Sequence, residues 1–369
     1  MPVYLGIALG AVLLSVMQKR ASNHIIKGLL ICSLVVWLSF FAGRRAFTVG
    51  TDTLVYGIPS LRVATSNSFT SFFFESYYST WAPLAKVFIW IAANATHSSF
   101  WFLFLMETVI VVPVVCSIHL FCDEMEPLAI FVYCLLFFPM SFNMMRQMMA
   151  MGFVLIAIYY AVNNRIVPFV VWISIAIGFH TSTAVALFIY PLVRLAQSSR
   201  ASAGLKLLLT AVLLAALLSL IFMEPKLFAG VGVYDSYLID GRLAENGSIS
   251  IFMMTLLYVI AATVLFLMCE RNRFTHQHIL SLLVIILLGM ALLLLTVVSK
   301  YLYRVGLVFI YILPVYMALM SREISDGRSY LVFCLSVSML SFGWSYGYYD
   351  IQGNHEVIPY SFSSGDMQL

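Results

Sequence analysis

Residues 44–56 read RRAFTVGTDTLVY. Arginine grips phosphate through a planar fork of donors and stays charged at any physiological pH, and a nearby carboxylate can take a proton. Arg44 and Arg45 close an apolar run. Gly50, Thr51, Asp52 and Thr53 then read as a turn, because glycine permits positive φ and Asp and Thr bond their own backbone. The same stretch also suits an arginine pair resting on lipid phosphate ahead of a capped turn.

A second constellation lies in FFPMSFNMMRQMMAMG. Asn143, Arg146 and Gln147 are spaced i, i+3, i+4 and share one helical face. An arginine in an apolar helix end is costly unless it is paired, hydrated or snorkelling to the interface. A third is His180 in IAIGFHTSTAVA, which reads either as a buried structural histidine or as a proton acceptor. A fourth is SKYLYRVG, where Tyr301 and Arg304 open an apolar run, as an interfacial anchor would also do. The tail HEVIPYSF adds Glu356, Pro359 and Tyr360. The aromatics of SFFFESYYSTW and LFAGVGVYDSYLID fit an interfacial belt or a stacking surface for sugar rings. There is no DxD and no carboxylate pair, so no metal and no cofactor is expected.

The chain that must position these residues is 369 long, 62% hydrophobic and only 10% charged. Soluble domains carry about 25% charged residues. The composition therefore predicts an all-α, polytopic integral membrane protein with a single membrane domain over residues 1–369. A net charge of +4 without a basic tract argues against nucleic acid. The six cysteines form no CxxC pair and imply neither a disulfide framework nor a metal site.

A span needs about 20 apolar residues. Twelve candidates satisfy that roughly: 2–17, 28–42, 99–121, 127–142, 147–162, 166–179, 181–193, 205–223, 249–268, 279–297, 303–320 and 330–346. Residues 82–95 are too short to span and read as a re-entrant or interfacial helix. The charges Lys19, Arg20 and Lys27 follow the first apolar run, which predicts an outside N-terminus. The first outer loop is then 43–98 and the second 224–248. Residues 166–193 are read as a hairpin with His180 at a recessed tip, which keeps Arg165 and Arg194 on the inside. Under this topology all five constellations meet at the outer leaflet.

At these residues the sequence resembles the EpsG family of Wzy-type polysaccharide polymerases. The likeness rests on Arg45, Gly50, Thr51, Asp52 and Tyr56; on Asn143, Arg146 and Gln147; on Phe179, His180 and Ser182; on Arg304; and on a terminal Pro359–Tyr360. The family often has Glu-Pro or Glu-Gly in the first outer loop, whereas here Glu75 is followed by Ser76.

The resemblance implies a bacterial inner-membrane glycosyltransferase that joins undecaprenyl-diphosphate-linked repeat units at the periplasmic face, making O-antigen, capsule or exopolysaccharide. It implies that Arg45, Arg146 and Arg304 hold the diphosphate and that Asp52 or His180 is the base. Arg44, Thr51, Tyr56, Asn143, Gln147 and Tyr301 would contact substrate. The expected partners are the lipid-linked oligosaccharide donor and acceptor and the bilayer, with a chain-length regulator and a flippase as protein partners. A lipid-linked oligosaccharide flippase or other transporter and an O-antigen ligase are the alternative readings.

Overall fold

The computed structural model describes residues 1–198, 249–269, 276–297, 303–363 and 365. The expected span 205–223, the second outer loop 224–248 and Tyr301 lie outside the described residues. Helices run α1 Pro2–Arg20, α2 His24–Arg44, α3 Ile58–Ser66, α4 Phe69–Phe74, α5 Pro83–Thr96, α6 Ser99–Cys122, α7 Pro127–Leu136, α8 Phe138–Ser141, α9 Met145–Val162, α10 Ile166–Phe179, α11 Ile189–Gln197, α12 Ser250–Leu267, α13 His276–Leu293, α14 Tyr303–Ile310, α15 Leu313–Glu323 and α16 Gly327–Ser345. Their starts carry ordinary caps: Asn23 accepts from Ile25 N–H, Ser98 from Trp101 N–H and Asp326 from Ser329 N–H.

Among the described residues, eight helical segments are long and apolar enough to cross a membrane: Pro2–Arg20, His24–Arg44, Ser99–Cys122, Met145–Val162, Ser250–Leu267, His278–Val297, Tyr303–Glu323 and Gly327–Ile351. This is a multi-pass helical membrane protein, with eight such segments described against the roughly twelve expected. Met145–Val162 and Tyr303–Glu323 are the most enclosed. Packing is close where side chains are small. A Cβ added at Gly289 would lie 2.7 Å from Phe309 Cβ and 3.0 Å from the Gly306 carbonyl. Small residues let membrane helices approach in this way without a hydrophobic driving force between them.

Two expected spans are interrupted. Residues 127–142 form α7 and the short α8, broken at Phe137 ahead of Pro139. Proline cannot continue the ladder, and a carbonyl freed inside a membrane protein needs another donor. Tyr349 Oη supplies one, donating to Leu136 O at 2.6 Å. Residues 181–193 begin as a 3-10 turn, Thr181–Phe188, before α11. The pair α10 and α11 is a hairpin. Tyr190 Oη donates to Asn164 Oδ1 at 3.0 Å and Gln197 Nε2 donates to Val162 O at 3.0 Å, so the returning arm ends where the outgoing arm starts. His180 occupies the opposite tip.

The bundle has two distinct ends. At one, Lys19 pairs with Glu124 at 3.0 Å and Glu126 at 3.1 Å, and Arg322 donates to Cys122 O. At the other, the C-terminal tail crosses the helix ends as a strap. Tyr4 Oη donates to Val357 O at 2.9 Å, Ala46 N–H to Ser361 O at 2.8 Å and Ser363 N–H to Arg44 O at 2.8 Å. An isolated antiparallel bridge joins Arg45 to Phe362.

The segment expected to be re-entrant or interfacial is α5. At 14 residues it rises about 21 Å, too little to cross a hydrocarbon core of about 30 Å. A Cβ added at Gly178, beside the His180 tip, would fall 2.6 Å from Leu84 near the start of α5. The far end of α5 leads into α6, whose Phe100 lies against Gly43 at the tail-bearing end. Both ends of α5 thus meet the same end of the bundle.

Candidate functional site

The site is assembled at the tail-bearing end around the first turn of α9. The first N–H groups of a helix have no partner within it, and the dipole there favours negative charge. Asp52 takes this place from a distant part of the chain: the backbone N–H of Met145, the first residue of α9, donates to its carboxylate. Arg304, Arg146 and Arg45 all act on Asp52 electrostatically. Burial nevertheless dominates and pushes its carboxyl up to about 6. Protein surrounds the carboxylate, while Asp52 as a residue is half-buried; the partly accessible residues around it are termed the recess.

Gly50 makes the approach possible. Its φ is +83°, and a Cβ would sit 2.4 Å from the Phe142 carbonyl oxygen. Its N–H donates to Glu356 O at 3.0 Å, so the tail helps to shape the turn. Next to it, Thr51 Oγ1 donates to Asn143 Oδ1.

The structure brings most of the sequence-predicted residues together. Thr51, Asp52, Tyr56, Asn143, Arg146 and Arg304 are all partly accessible. The Arg146 guanidinium lies 3.8 Å from the Trp81 ring centroid and 5.8 Å from that of Tyr56, cation–π contacts that orient it from one side. Gln147 is buried and donates from Nε2 to Arg304 O at 2.7 Å, which joins α9 to the start of α14. His180 is buried at the hairpin tip, and both Arg146 and Arg304 act on it electrostatically.

Two further residues of that group are placed differently from the rest. Arg45 was expected to hold diphosphate, but it is 1% exposed. Its Nε donates to Thr53 Oγ1 at 3.2 Å, Nη1 donates to Ala42 O, and the guanidinium lies 4.4 Å over Phe142. Its Nη2 lies 4.0 Å from Met145 Sδ, so each guanidinium nitrogen has a neighbour within the protein. Arg44, expected to touch substrate, is exposed and lies over Phe100 at 5.8 Å.

Other residues of the site escaped sequence reasoning. Glu107 is 2% exposed in the middle of α6, accepts from Ser141 Oγ at 3.0 and 2.9 Å, and acts electrostatically on Arg45. A lone carboxylate in an apolar span was a readable signal. Lys86 is buried in α5 and donates to Phe73 O at 3.0 Å and Ser79 O at 2.7 Å, anchoring the loop that carries Trp81. His355 opens the HEVIPYSF stretch but was not singled out there; it contacts Asn143 through Nδ1 and Tyr348 Oη through Nε2 at 3.2 Å. Burial, reinforced by Arg304, pushes it down to about 3, so it is neutral.

Two partly accessible arginines close enough to act on one carboxylate can bind an anionic group and accept a proton beside it. Among the described residues, no group of three or more His, Cys, Asp or Glu is placed to hold a metal ion.

A family model, that of the EpsG family, matches residues 28–362 of the chain. No curated protein and no solved structure matches it.

Proposed function

Because the chain belongs to the EpsG family, we propose that it is a membrane glycosyltransferase that polymerises lipid-diphosphate-linked oligosaccharide repeat units at the periplasmic face of a bacterial inner membrane. The observation that carries this reading is the gathering of Arg146, Arg304 and Asp52 around one partly open recess at one end of the bundle. That one-ended placement fits a headgroup arriving from one leaflet. A transporter would be expected to place such groups near the midplane.

In the proposed reaction, Arg146 and Arg304 hold the donor's diphosphate and stabilise the charge that grows on it as it leaves. The acceptor hydroxyl oxygen attacks the anomeric carbon, the bond from that carbon to the phosphate oxygen breaks, and the hydroxyl proton passes to Asp52. Asp52 is favoured over His180 as base because it keeps accessible surface in the recess while His180 is buried. A carboxyl raised to about 6 is a stronger base than an ordinary one and is still mostly ionised at neutral pH. Thr51, Tyr56 and Asn143 line the same recess as substrate contacts, and Gln147 positions Arg304. Undecaprenol as carrier and a chain-length regulator and flippase as partners belong to this proposal.

Deleting the gene and separating surface polysaccharide on a gel tests it. Collapse of a length ladder to a single repeat supports polymerisation. An unchanged ladder overturns it.

A further inference from the structure

The tail between α16 and the strap holds an unusual run of backbone. Gly353 has φ +65°, His355 +69° and Glu356 +53°. Glycine enters this left-handed region freely, whereas His and Glu do so rarely, and such strain persists where surrounding contacts over-determine it.

Those contacts lead into the recess. Glu356 O accepts the Gly50 N–H at 3.0 Å. The His355 ring sits between an amide and a phenol. Asn143 uses Oδ1 to accept from Thr51, so its Nδ2 faces His355 Nδ1 as a donor. His355 Nε2 then carries the proton and meets Tyr348 Oη at 3.2 Å. The rings of Tyr303, Tyr348 and Tyr349 surround the imidazole, with centroids at 6.4, 5.6 and 6.0 Å. A continuous polar chain therefore runs Thr51, Asn143, His355, Tyr348. With both ring nitrogens engaged, His355 is not placed to take a proton from substrate. It instead fixes the Asn143 amide, which holds Thr51, the neighbour of Asp52 in the turn.

We propose that His355 is a positioning residue for glycosyl transfer, orienting Asn143 and through it the Thr51–Asp52 turn so that the Asp52 carboxylate meets the acceptor hydroxyl. This rests on the polymerase reading above. It makes the strained backbone intelligible, because a glycine at 355 would relieve the strain and lose the ring.

The experiment complements the deletion strain with wild-type protein, His355→Gly and His355→Asn, measuring long polysaccharide in cells and Tm of the purified proteins. His355→Gly should lower long polysaccharide at least about 10-fold per amount of folded protein, the scale of a lost positioning contact, whatever the balance of relieved strain and lost packing does to Tm. His355→Asn tolerates the left-handed backbone and offers Oδ1 to Asn143 in place of Nδ1, so it should recover most of the product. Full polymer from His355→Gly, or equal loss in both variants at equal amounts of folded protein, would overturn the proposal. Wild-type complementation no better than empty vector would overturn the polymerase reading and this proposal with it; normal wild-type polymer with a fully active His355→Gly would overturn this proposal alone.

Discussion

Gln147 donates from Nε2 to the main-chain oxygen of Arg304 at 2.7 Å, a bond between residues 157 positions apart. It ties the first turn of α9, which carries Arg146, to the first turn of α14, which carries Arg304. The distance between the two guanidinium groups therefore depends on a buried amide. Gln147→Leu, close in size, has no donor for the Arg304 carbonyl. Stability should fall by about 1–3 kcal/mol, the cost of an unmade buried hydrogen bond, and long polysaccharide should fall with it. Denaturant unfolding of the purified protein alongside a polysaccharide gel checks this; unchanged values for both would remove Gln147 from the arrangement.

Arg146 stands 3.8 Å over the Trp81 ring, a cation–π contact that restricts its guanidinium. Arg146→Ala should lower polymer formation by about 100-fold or more, the usual effect of removing a donor aimed at developing charge. Arg146→Lys should also be impaired, because an ammonium keeps the charge but not the two-pronged geometry. Normal chain length in Arg146→Ala would take it out of the mechanism.

The Asp52 carboxyl is pushed up to about 6, so it is protonated below that pH and cannot accept a proton. Polymer formation by purified protein should fall as pH drops through about 6, with one protonation controlling the acid limb. The stability effect has the opposite sense. A raised carboxyl pKa means the folded state prefers the neutral form, so the contribution of Asp52 to stability is greatest below its unfolded pKa and is lost as pH rises through 6. Asp52→Asn should therefore abolish transfer at neutral pH while leaving Tm equal or higher. An active Asp52→Asn would assign the base elsewhere.

Arg45 is buried with its donors spent on Thr53 and Ala42, and Glu107 acts on it electrostatically. Removing it leaves the Thr53 hydroxyl and the Ala42 carbonyl without that donor in a buried site, at a cost of about 1–3 kcal/mol. Arg45→Ala and Arg45→Lys should thus lose folded yield and Tm. A direct diphosphate ligand would instead raise KM with Tm unchanged, and that result would contradict the structural role.

Much of the site was legible because charge is scarce in this chain. Asp52, Arg146 and Arg304 stand out in apolar surroundings, and the spacing of Asn143, Arg146 and Gln147 placed them on one helical turn. The hairpin at His180 followed from the short arms on either side of it and the basic flanks Arg165 and Arg194. What was not legible depended on contacts far apart in the chain. His355 meets Asn143 across 212 positions, so although HEVIPYSF drew notice, the partner of its histidine could not be read from it. The roles of Arg44 and Arg45 could not be separated by type or charge, since the two are adjacent and differ only in which side of a helix end they face. The break in residues 127–142 was signalled by Pro139, but the Tyr349 hydroxyl that makes it tolerable comes from the other end of the chain.

The most direct measurement places purified protein in lipid vesicles with a lipid-diphosphate-linked oligosaccharide repeat unit and follows both sugar-chain length and released lipid diphosphate. Longer chains should appear with one lipid diphosphate released per bond formed, and both signals should vanish in Asp52→Asn and Arg146→Ala. Movement of the intact lipid-linked unit across the membrane with no new glycosidic bond would contradict the account.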